Sequence, residues 1–198
     1  MILEAILSSV SEDGKVNFAP VGVHVPDDTF RLSEVKEMAM FLYSGSHSFA
    51  NLKAKPEGVI NFTDDVLSFV DTALFSALPQ TVPSYRVAPP RMTGAKAVWE
   101  FAVTRFDDSI KPAKANGRIL FFEETAGFTG FCRAHGIILE AAIMATRLQW
   151  VRPGEIEKSW PLWQEVVKKT GGIREQKAFR KINDYLVQKE ISIPNSLE

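Results

Sequence analysis

The sequence changes character at Ser44-Gly45-Ser46-His47-Ser48-Phe49-Ala50-Asn51-Leu52. An apolar run at residues 38–43 comes before this segment and predicts a buried strand, and residues 49–55 predict a short helix. The first N–H groups of a helix have no partner inside it, so together with serine hydroxyls they suit a phosphate. Serines before helices also act as ordinary N-caps. The residues alone leave both interpretations open.

Length and composition predict one large domain, or one domain with an appendage. The chain has 198 residues, 45% of them hydrophobic, and a net charge of -1. Its single cysteine, Cys132, excludes a disulfide within the chain and favours a reducing, cytoplasmic setting. The first residues show no signal peptide, and no run approaches the ~20 apolar residues of a membrane span. We therefore expect a cytoplasmic protein whose partners include neither membrane nor nucleic acid.

The first part of the chain, about residues 1–130, predicts a β-rich domain of six or more strands. Residues 2–9 and 16–25 flank a turn at Gly14 and predict a β-hairpin. Pro20 and Gly22 lie inside the second strand and predict an interruption or bulge there. Such a bulge either protects a sheet edge or lets the backbone approach a flat ligand. Further strands are predicted at residues 29–32, 38–43, 59–63, 98–106 and 118–123.

The last part of the chain, residues 131–198, predicts a helical extension. After Gly130 the apolar period changes from two residues to about 3.6, which is typical of helices packed on one face. Apolar stripes at residues 137–148, 156–167 and 179–186 predict three helices, and Pro161 is expected to kink or restart the second. The predicted fold class is therefore β-rich α+β.

The sequence contains no pattern for a catalytic side chain or a metal site. His24, His47 and His135 lie far apart, and none has a second ligand at helical spacing. The pairs of adjacent acidic residues do not predict an acid/base dyad, because neighbours on a strand point to opposite faces. We predict no catalytic residue and no metal ligand, so any chemistry would come from a cofactor.

Several segments resemble flavin-reductase-like, FMN-binding split β-barrels. Residues 13–22, Asp-Gly-Lys-Val-Asn-Phe-Ala-Pro-Val-Gly, resemble the opening hairpin of that superfamily. Residues 43–52 resemble the phosphate segment of one branch, a domain of unknown function with a C-terminal helical extension. Residues 59–65 and 138–147 resemble the next strand of that branch and the start of its helical part. One departure is that Ser46 and Ser48 stand where threonines are more usual, which keeps the hydroxyls.

The resemblance implies a split β-barrel over residues 1–130, with the extension 131–198 packed on the barrel or at a dimer interface. It also implies a homodimer with one FMN per subunit near the interface. The implied cofactor-binding residues are Ala19, Pro20, Val21, Gly22, Ser46, His47, Ser48, Asn51, Asn61 and Thr63.

These residues take different roles in the resemblance. The phosphate is expected on Ser46, Ser48 and Asn51, with His47 nearby. The ribityl chain or the ring edge is expected at Asn61 and Thr63, and the ring plane against residues 19–22. The countercharge for the phosphate is expected from Arg31 or Lys53, between which the sequence does not choose.

Three functions fit these expectations. The first is an FMN-dependent oxidoreductase, in which the flavin carries hydride or electrons between a small-molecule donor and an acceptor. The alternative is a flavin-binding module or assembly protein without turnover of its own. The third uses the helical part, with Trp160 and Trp163, as a partner-binding surface. Substrate and pathway stay open, because fold and cofactor do not fix them.

Overall fold

The computed structural model describes residues 1–127, 130–152, 154–191 and 193. These residues divide into two compact units. The barrel unit consists of residues 1–63 and 76–127. The helical unit consists of residues 64–75 together with the described residues beyond Gly127.

The barrel unit contains, among the described residues, a closed six-stranded antiparallel barrel with the order β1-β2-β3-β8-β7-β4. Its strands are β1 (Ile2–Val10), β2 (Val16–His24), β3 (Glu37–Leu42), β4 (Glu57–Phe62), β7 (Ala97–Asp107) and β8 (Ala113–Glu124). A short pair, β5 (Thr81–Val82) and β6 (Arg91–Met92), stands apart from the barrel sheet. A 3₁₀ turn (Leu32–Glu34) precedes β3, and helix α1 (His47–Ala54) follows it. The predicted fold class is confirmed.

The inner faces of the strands form the barrel core. Leu7, Met40, Ile60 and Trp99 are fully buried there, as the alternation of apolar residues along the strands predicts. Leu52 of α1 joins the same core. Each such side chain contributes about 1.5–3 kcal/mol by its removal from water. Packing therefore fixes α1 against the end of the barrel at which β1 and β2 meet in their turn.

The predicted hairpin is confirmed, and the interruption predicted at Pro20 lies on the β3 side of β2 rather than in the β1–β2 ladder. Strands β1 and β2 pair residue by residue, and Pro20 stands opposite Ile6. The carbonyl of Ile6 accepts from Asn61 Nδ2 at 3.0 Å, so the Ile6 backbone faces β4. At a pair of this kind, which exchanges no hydrogen bonds, the backbone polar groups of the two opposed residues point away from each other. The backbone of Pro20 therefore faces away from β1. Its missing N–H therefore costs the β1–β2 ladder no hydrogen bond.

Two other strand predictions differ from the structure. Residues 29–32 form no strand and instead lead into the 3₁₀ turn. The strand predicted at residues 118–123 begins earlier, so Asn116 and Gly117 lie inside β8. A side chain at Gly117 would come within 2.7 Å of the Met38 side chain, so this glycine makes room for the core.

Residues 76–92, here called the strap, contain β5 and β6 and are held to the barrel by polar side chains. The carboxylate of Glu100 is fully buried and accepts from Tyr85 N at 2.9 Å and from Arg86 N at 2.6 Å. Arg91 Nε lies 3.9 Å from the same carboxylate. The strap is thus anchored by a buried charge with several donors.

The helical unit contains α2 (Val66–Leu74), α3 (Arg133–Ala145), α4 (Glu155–Thr170) and α5 (Ile173–Gln188). The three predicted C-terminal helices are confirmed, and α4 runs without a break through Pro161. The core of the helical unit includes Trp160, whose ring stacks on Phe179 with centroids 4.4 Å apart. No helix in the described part of the chain is long and apolar enough to cross a membrane.

Helix α2 belongs to the helical unit although its sequence lies within the range predicted for the barrel. Asp65 pairs with Arg174 of α5, and Asp71 pairs with Lys181. Burial raises the pKa of Asp65, but hydrogen bonds from Arg174 and Ser68 hold it below its ordinary value. The two ion pairs tie α2 to α5.

Candidate cofactor-binding site

The turn into α1, residues 43–48, has the backbone of a helix entry and is called the α1 turn. Gly45 has a φ of +96°, a conformation that favours glycine, and Ser46 N donates to Tyr43 O at 3.1 Å. Ser46 is the N-cap, and its Oγ accepts from Phe49 N at 3.1 Å. Ser46 therefore acts as an ordinary N-cap through a lone pair of its Oγ. The hydroxyl can still donate one hydrogen bond, for which the described residues offer no acceptor.

Two backbone donors are left over at the α1 turn. The N–H groups of His47 and Ser48 donate to no protein acceptor in the described part of the chain. His47 is exposed and Ser46 is half-buried, so a ligand can reach this end of the helix. The N-terminal partial positive charge of a helix favours an anion at this position.

Ser48 and Asn51 face inward, unlike Ser46 and His47. Both are only 5% exposed. Ser48 Oγ accepts from Asn17 Nδ2 at 3.3 Å, and Asn51 Nδ2 donates to Ser9 Oγ at 3.0 Å. These bonds join α1 to β2 and β1. Sequence reasoning had assigned both residues to the phosphate, whereas the structure uses their side chains to fix the helix.

Strand β2 has one flank without a strand partner over most of its length. It pairs with β1 along its whole length but with β3 only at Val23 and His24. The side of residues 17–22 that faces away from β1, here called the open flank, has no strand partner in the described structure. Pro20 lies on this flank, where a residue without an N–H leaves no orphaned donor.

The four predicted ring contacts on β2 do not present the same groups. Ala19, Pro20 and Gly22 are half-buried, whereas Val21 is only 7% exposed and belongs to the barrel core. Val21 can therefore offer its backbone but not its side chain to a ligand. A Cβ at Gly22 would lie 3.0 Å from the Ile2 side chain, so the absence of a side chain at this position leaves room for Ile2.

Asn61 and Thr63 lie on β4 and just beyond its end, and β1 separates β4 from β2. Asn61 is 0% exposed. Its Nδ2 donates to Ile6 O at 3.0 Å, and its Oδ1 accepts from Met92 N at 2.7 Å. Asn61 is thus placed to hold the strap and has no amide atom left for a ligand. Thr63 is half-buried.

The two candidate countercharges also differ in placement. Lys53 is in the last turn of α1, at the opposite end from Ser46, and its Nζ lies 2.6 Å from Asp108 Oδ2. The hydrogen bond from Lys53 lowers the pKa of Asp108. Arg31 is exposed just before the 3₁₀ turn and makes no ion pair among the residues described. Lys53 is therefore paired with Asp108 and lies away from the α1 turn.

The structure brings together the α1 turn and β2 but leaves the two β4 residues apart from them. Sequence reasoning missed Asn17, whose amide connects β2 to Ser48 of α1. The available signal was its position in the hairpin motif, on the same strand as Pro20 and Gly22. Residues 17–22 and the α1 turn form a continuous candidate site.

Comparison with known families identifies the chain. The family profile described as "Protein of unknown function (DUF447) N-terminal domain" matches residues 3–123, and the profile described as "Protein of unknown function (DUF447)" matches residues 132–184. The chain belongs to the DUF447 family. The branch that the sequence resembled is thereby confirmed. No curated protein matches the chain.

Solved structures give the same fold for this DUF447 protein. The FMN-bound DUF447 protein from Methanosarcina mazei superposes with a TM-score of 0.78 at 22% identity, over 93% of this chain and 95% of that chain. Nitrilotriacetate monooxygenase component B from Bacillus cereus gives 0.51 at 17% identity, over 69% of this chain and 78% of that one. The Pseudomonas fluorescens 2-nitrobenzoate 2-nitroreductase gives 0.50 at 17% identity, over 62% and 64%. These two proteins match 62% and 69% of this chain, whereas the Methanosarcina protein matches 93% of it.

Proposed function

We propose that this protein binds FMN along the open flank of β2, with the phosphate at the α1 turn. The observation that carries the proposal is the pair of unengaged N–H groups, on His47 and Ser48, beside a strand flank without a partner. The Asn17–Ser48 hydrogen bond holds the two parts of this site together. The FMN-bound state of the Methanosarcina mazei protein supports the same ligand.

Each residue of the site has a physical role in holding the cofactor. The N–H groups of His47 and Ser48 donate to phosphate oxygens, and the Ser46 hydroxyl donates while its lone pair caps Phe49 N. Hydrogen bonds to a charged acceptor contribute about 1.5–3 kcal/mol each. Backbone groups of the open flank are left for the polar edge of a ring. Asn61 and Val21 contribute no side-chain contact.

We further propose that the protein is an FMN-dependent oxidoreductase. Bound FMN supplies hydride or electron transfer, and the protein supplies position and electrostatics. The solved structures of similar fold include a nitroreductase and a monooxygenase component, which supports this class and names no substrate for this chain. The lone Cys132, whose Sγ lies 3.3 Å from Thr170 O, fits a reducing cytoplasmic setting.

A homodimer is proposed with the FMN near its interface. The apolar stripe of α3 is buried within the helical unit and gives no support for a dimer. The support comes from β3 instead, where Phe41 is 37% exposed and Tyr43, just beyond the strand, is 45% exposed. Sedimentation at micromolar concentration is expected to give twice the 22.1 kDa of the chain. A monomer alone would count against the dimer.

Comparison of FMN with riboflavin tests the cofactor proposal. The two ligands share the ring and the ribityl chain and differ in the phosphate. Titration into flavin-free protein is expected to show FMN binding at least about tenfold tighter, which corresponds to ~1.4 kcal/mol. Equal affinities would contradict a phosphate site at the α1 turn, and no binding of either flavin would overturn the proposal.

Reduction of the bound flavin separates an oxidoreductase from a binding module. FMN-loaded protein is mixed anaerobically with NADH or NADPH, and the visible absorbance of the flavin is followed. Loss of that absorbance that recovers when an acceptor is added supports turnover. Flavin that stays oxidised with both donors, yet is reduced by dithionite, favours the binding module.

A further inference from the structure

A cavity lies at the opposite end of β2 from the α1 turn. It has a volume of about 290 Å³ and is lined by the ends of β2 and β3 and by the middle of β8. Asn17, at the α1 end, and His24, at the cavity, are seven residues apart on β2. At ~3.3 Å per residue they are roughly 23 Å apart. The cavity is therefore distinct from the anion site at the helix.

The strand register explains why a cavity exists there. His24 of β2 pairs with Ala39 of β3, and Ala39 pairs with Asn116 of β8. The three residues form one row across the sheet, with the smallest side chain in the middle. Adjacent strands are ~4.8 Å apart, so His24 and Asn116 stand about 10 Å apart with the Ala39 methyl between them. Ala39 is the floor of the cavity.

Three polar side chains that line this cavity have no hydrogen-bond or ion-pair partner among the residues that the structure describes. The His24 ring packs edge-on against Phe41 with centroids 4.9 Å apart, but the side chains of His24, the exposed Glu37 and Asn116 make no hydrogen bond or ion pair among these residues. By contrast, Asn17 and Asn51 donate to side-chain oxygens elsewhere in the barrel unit. Three unpaired polar groups around one depression are an arrangement that a ligand, rather than the fold, would use.

The chemistry of the lining favours a donor ligand with positive charge. Glu37 is the one acidic residue in the lining, and Arg118, opposite it on β8, forms no ion pair with it in the described structure. Thr104 Oγ1 donates to Asn116 O at 3.2 Å, so its lone pairs remain as acceptors. Val25 and Met38 add buried apolar surface.

We propose that this cavity is a second binding site, for a small organic cation with an ammonium or amidinium group on a flat apolar body. The cation pairs with Glu37, and the flat body lies over Ala39 between His24 and Asn116. The volume is at the lower end of ligand pockets, which restricts the ligand to a single ring or a short chain. The site does not depend on a bound flavin.

Benzamidine tests the proposal, because it is a flat amidinium. Binding is measured by calorimetry, and the site is mapped by amide chemical shifts, in both the flavin-free and the FMN-loaded full chain. Glu37→Gln is expected to weaken binding about tenfold or more by removing the charge-assisted contact. Ala39→Leu is expected to abolish binding by filling the floor, whereas Ala39→Ser leaves the volume and the affinity nearly unchanged.

Two controls keep the result interpretable. Glu34→Gln removes an exposed carboxylate near β3 but outside the cavity, and it is expected to leave affinity unchanged. Melting curves of each variant check that it is folded. No benzamidine binding to the wild type, shifts that map away from β2 and β3, or equal loss in Glu34→Gln and Glu37→Gln would overturn the proposal. Displacement of benzamidine by FMN would overturn a separate site.

Discussion

The α1 turn and the strap are both polar regions of the barrel unit, and they use polarity in opposite ways. At the strap, the carboxylate of Glu100 and the amide of Asn61 are fully buried, and each has several partners. At the α1 turn, the N–H groups of His47 and Ser48 have no acceptor in the described structure. Buried polar groups with full partners stabilise the fold, whereas reachable groups without partners are available to a ligand.

The largest expected effect is at the centre of the strap. Glu100→Ala leaves the N–H groups of Tyr85 and Arg86 unpaired and removes the carboxylate beside Arg91. Breaking such a buried charged cluster typically lowers the free energy of unfolding by about 3–5 kcal/mol. Urea unfolding measures the loss, with the exposed Glu34→Ala as the matched control. A loss no larger than in the control would show that the strap is not anchored there.

A second substitution tests whether Asn61 belongs to the strap or to the cofactor site. Asn61→Ala leaves Ile6 O and Met92 N unpaired in a buried position, and we expect the free energy of unfolding to fall by about 2–3 kcal/mol. FMN affinity of the folded protein is expected to stay within about twofold of wild type, well under the ~1.4 kcal/mol of a tenfold change. The opposite pattern, weak FMN binding with intact stability, would return Asn61 to the cofactor.

The matching experiment at the α1 turn should change binding and spare stability. Aspartate is as good an N-cap as serine, so Ser46→Asp is expected to leave the melting temperature unchanged. It places a carboxylate against the phosphate, and FMN affinity is expected to fall by about tenfold to a hundredfold. Riboflavin affinity serves as the control, because it has no phosphate and should not change. Full-strength FMN binding by the aspartate variant would refute the phosphate site.

The smallest effect is expected where the two roles meet, at Asn17. Its hydrogen bond to Ser48 Oγ is long, at 3.3 Å, so Asn17→Ala is expected to cost about 0.5–1.5 kcal/mol of stability. FMN affinity should fall only a few-fold, because the α1 turn loosens but keeps its donors. Thermal unfolding of Asn116→Ala, an asparagine without a side-chain partner among the described residues, is the comparison and should match wild type. Equal stability of both variants would remove Asn17 from the scaffold.

The sequence predicts most of the fold because its local signals agree with the tertiary structure. The Gly14 turn has a φ of +84° and joins the two strands of the hairpin, and the apolar runs in β1, β3 and β4 supply core residues of the barrel. The interruption predicted at Pro20 is present, but the sequence does not show on which side of β2 it lies. Proline indicates a missing ladder bond, but only the partner strands show that its flank of β2 is the unpaired one.

The candidate site is less predictable, because its side chains are engaged by distant residues. Asn61 looks available in the sequence, but Met92 N, 31 positions further along, occupies its Oδ1. Lys53 looks like a countercharge, but Asp108 pairs with it across 55 positions. Neither partner carries a local sequence signal. The backbone of the α1 turn is predictable from the sequence, because the glycine, the N-cap and the helix follow one another directly.

The position of α2 in the chain, between strands of the barrel unit, affects both synthesis of the protein and its division into domains. This helix is translated before β7 and β8 of the barrel, yet it packs with α3 and α5, which are translated later than both of those strands. A chain shortened after Gly127 would keep α2 and lose both partners. Val66, Leu67, Phe69 and Val70, buried in the full chain, would then face water. An isolated barrel therefore requires the removal of residues 64–75 as well, and a nascent chain exposes the apolar face of α2 until α3 and α5 have been translated.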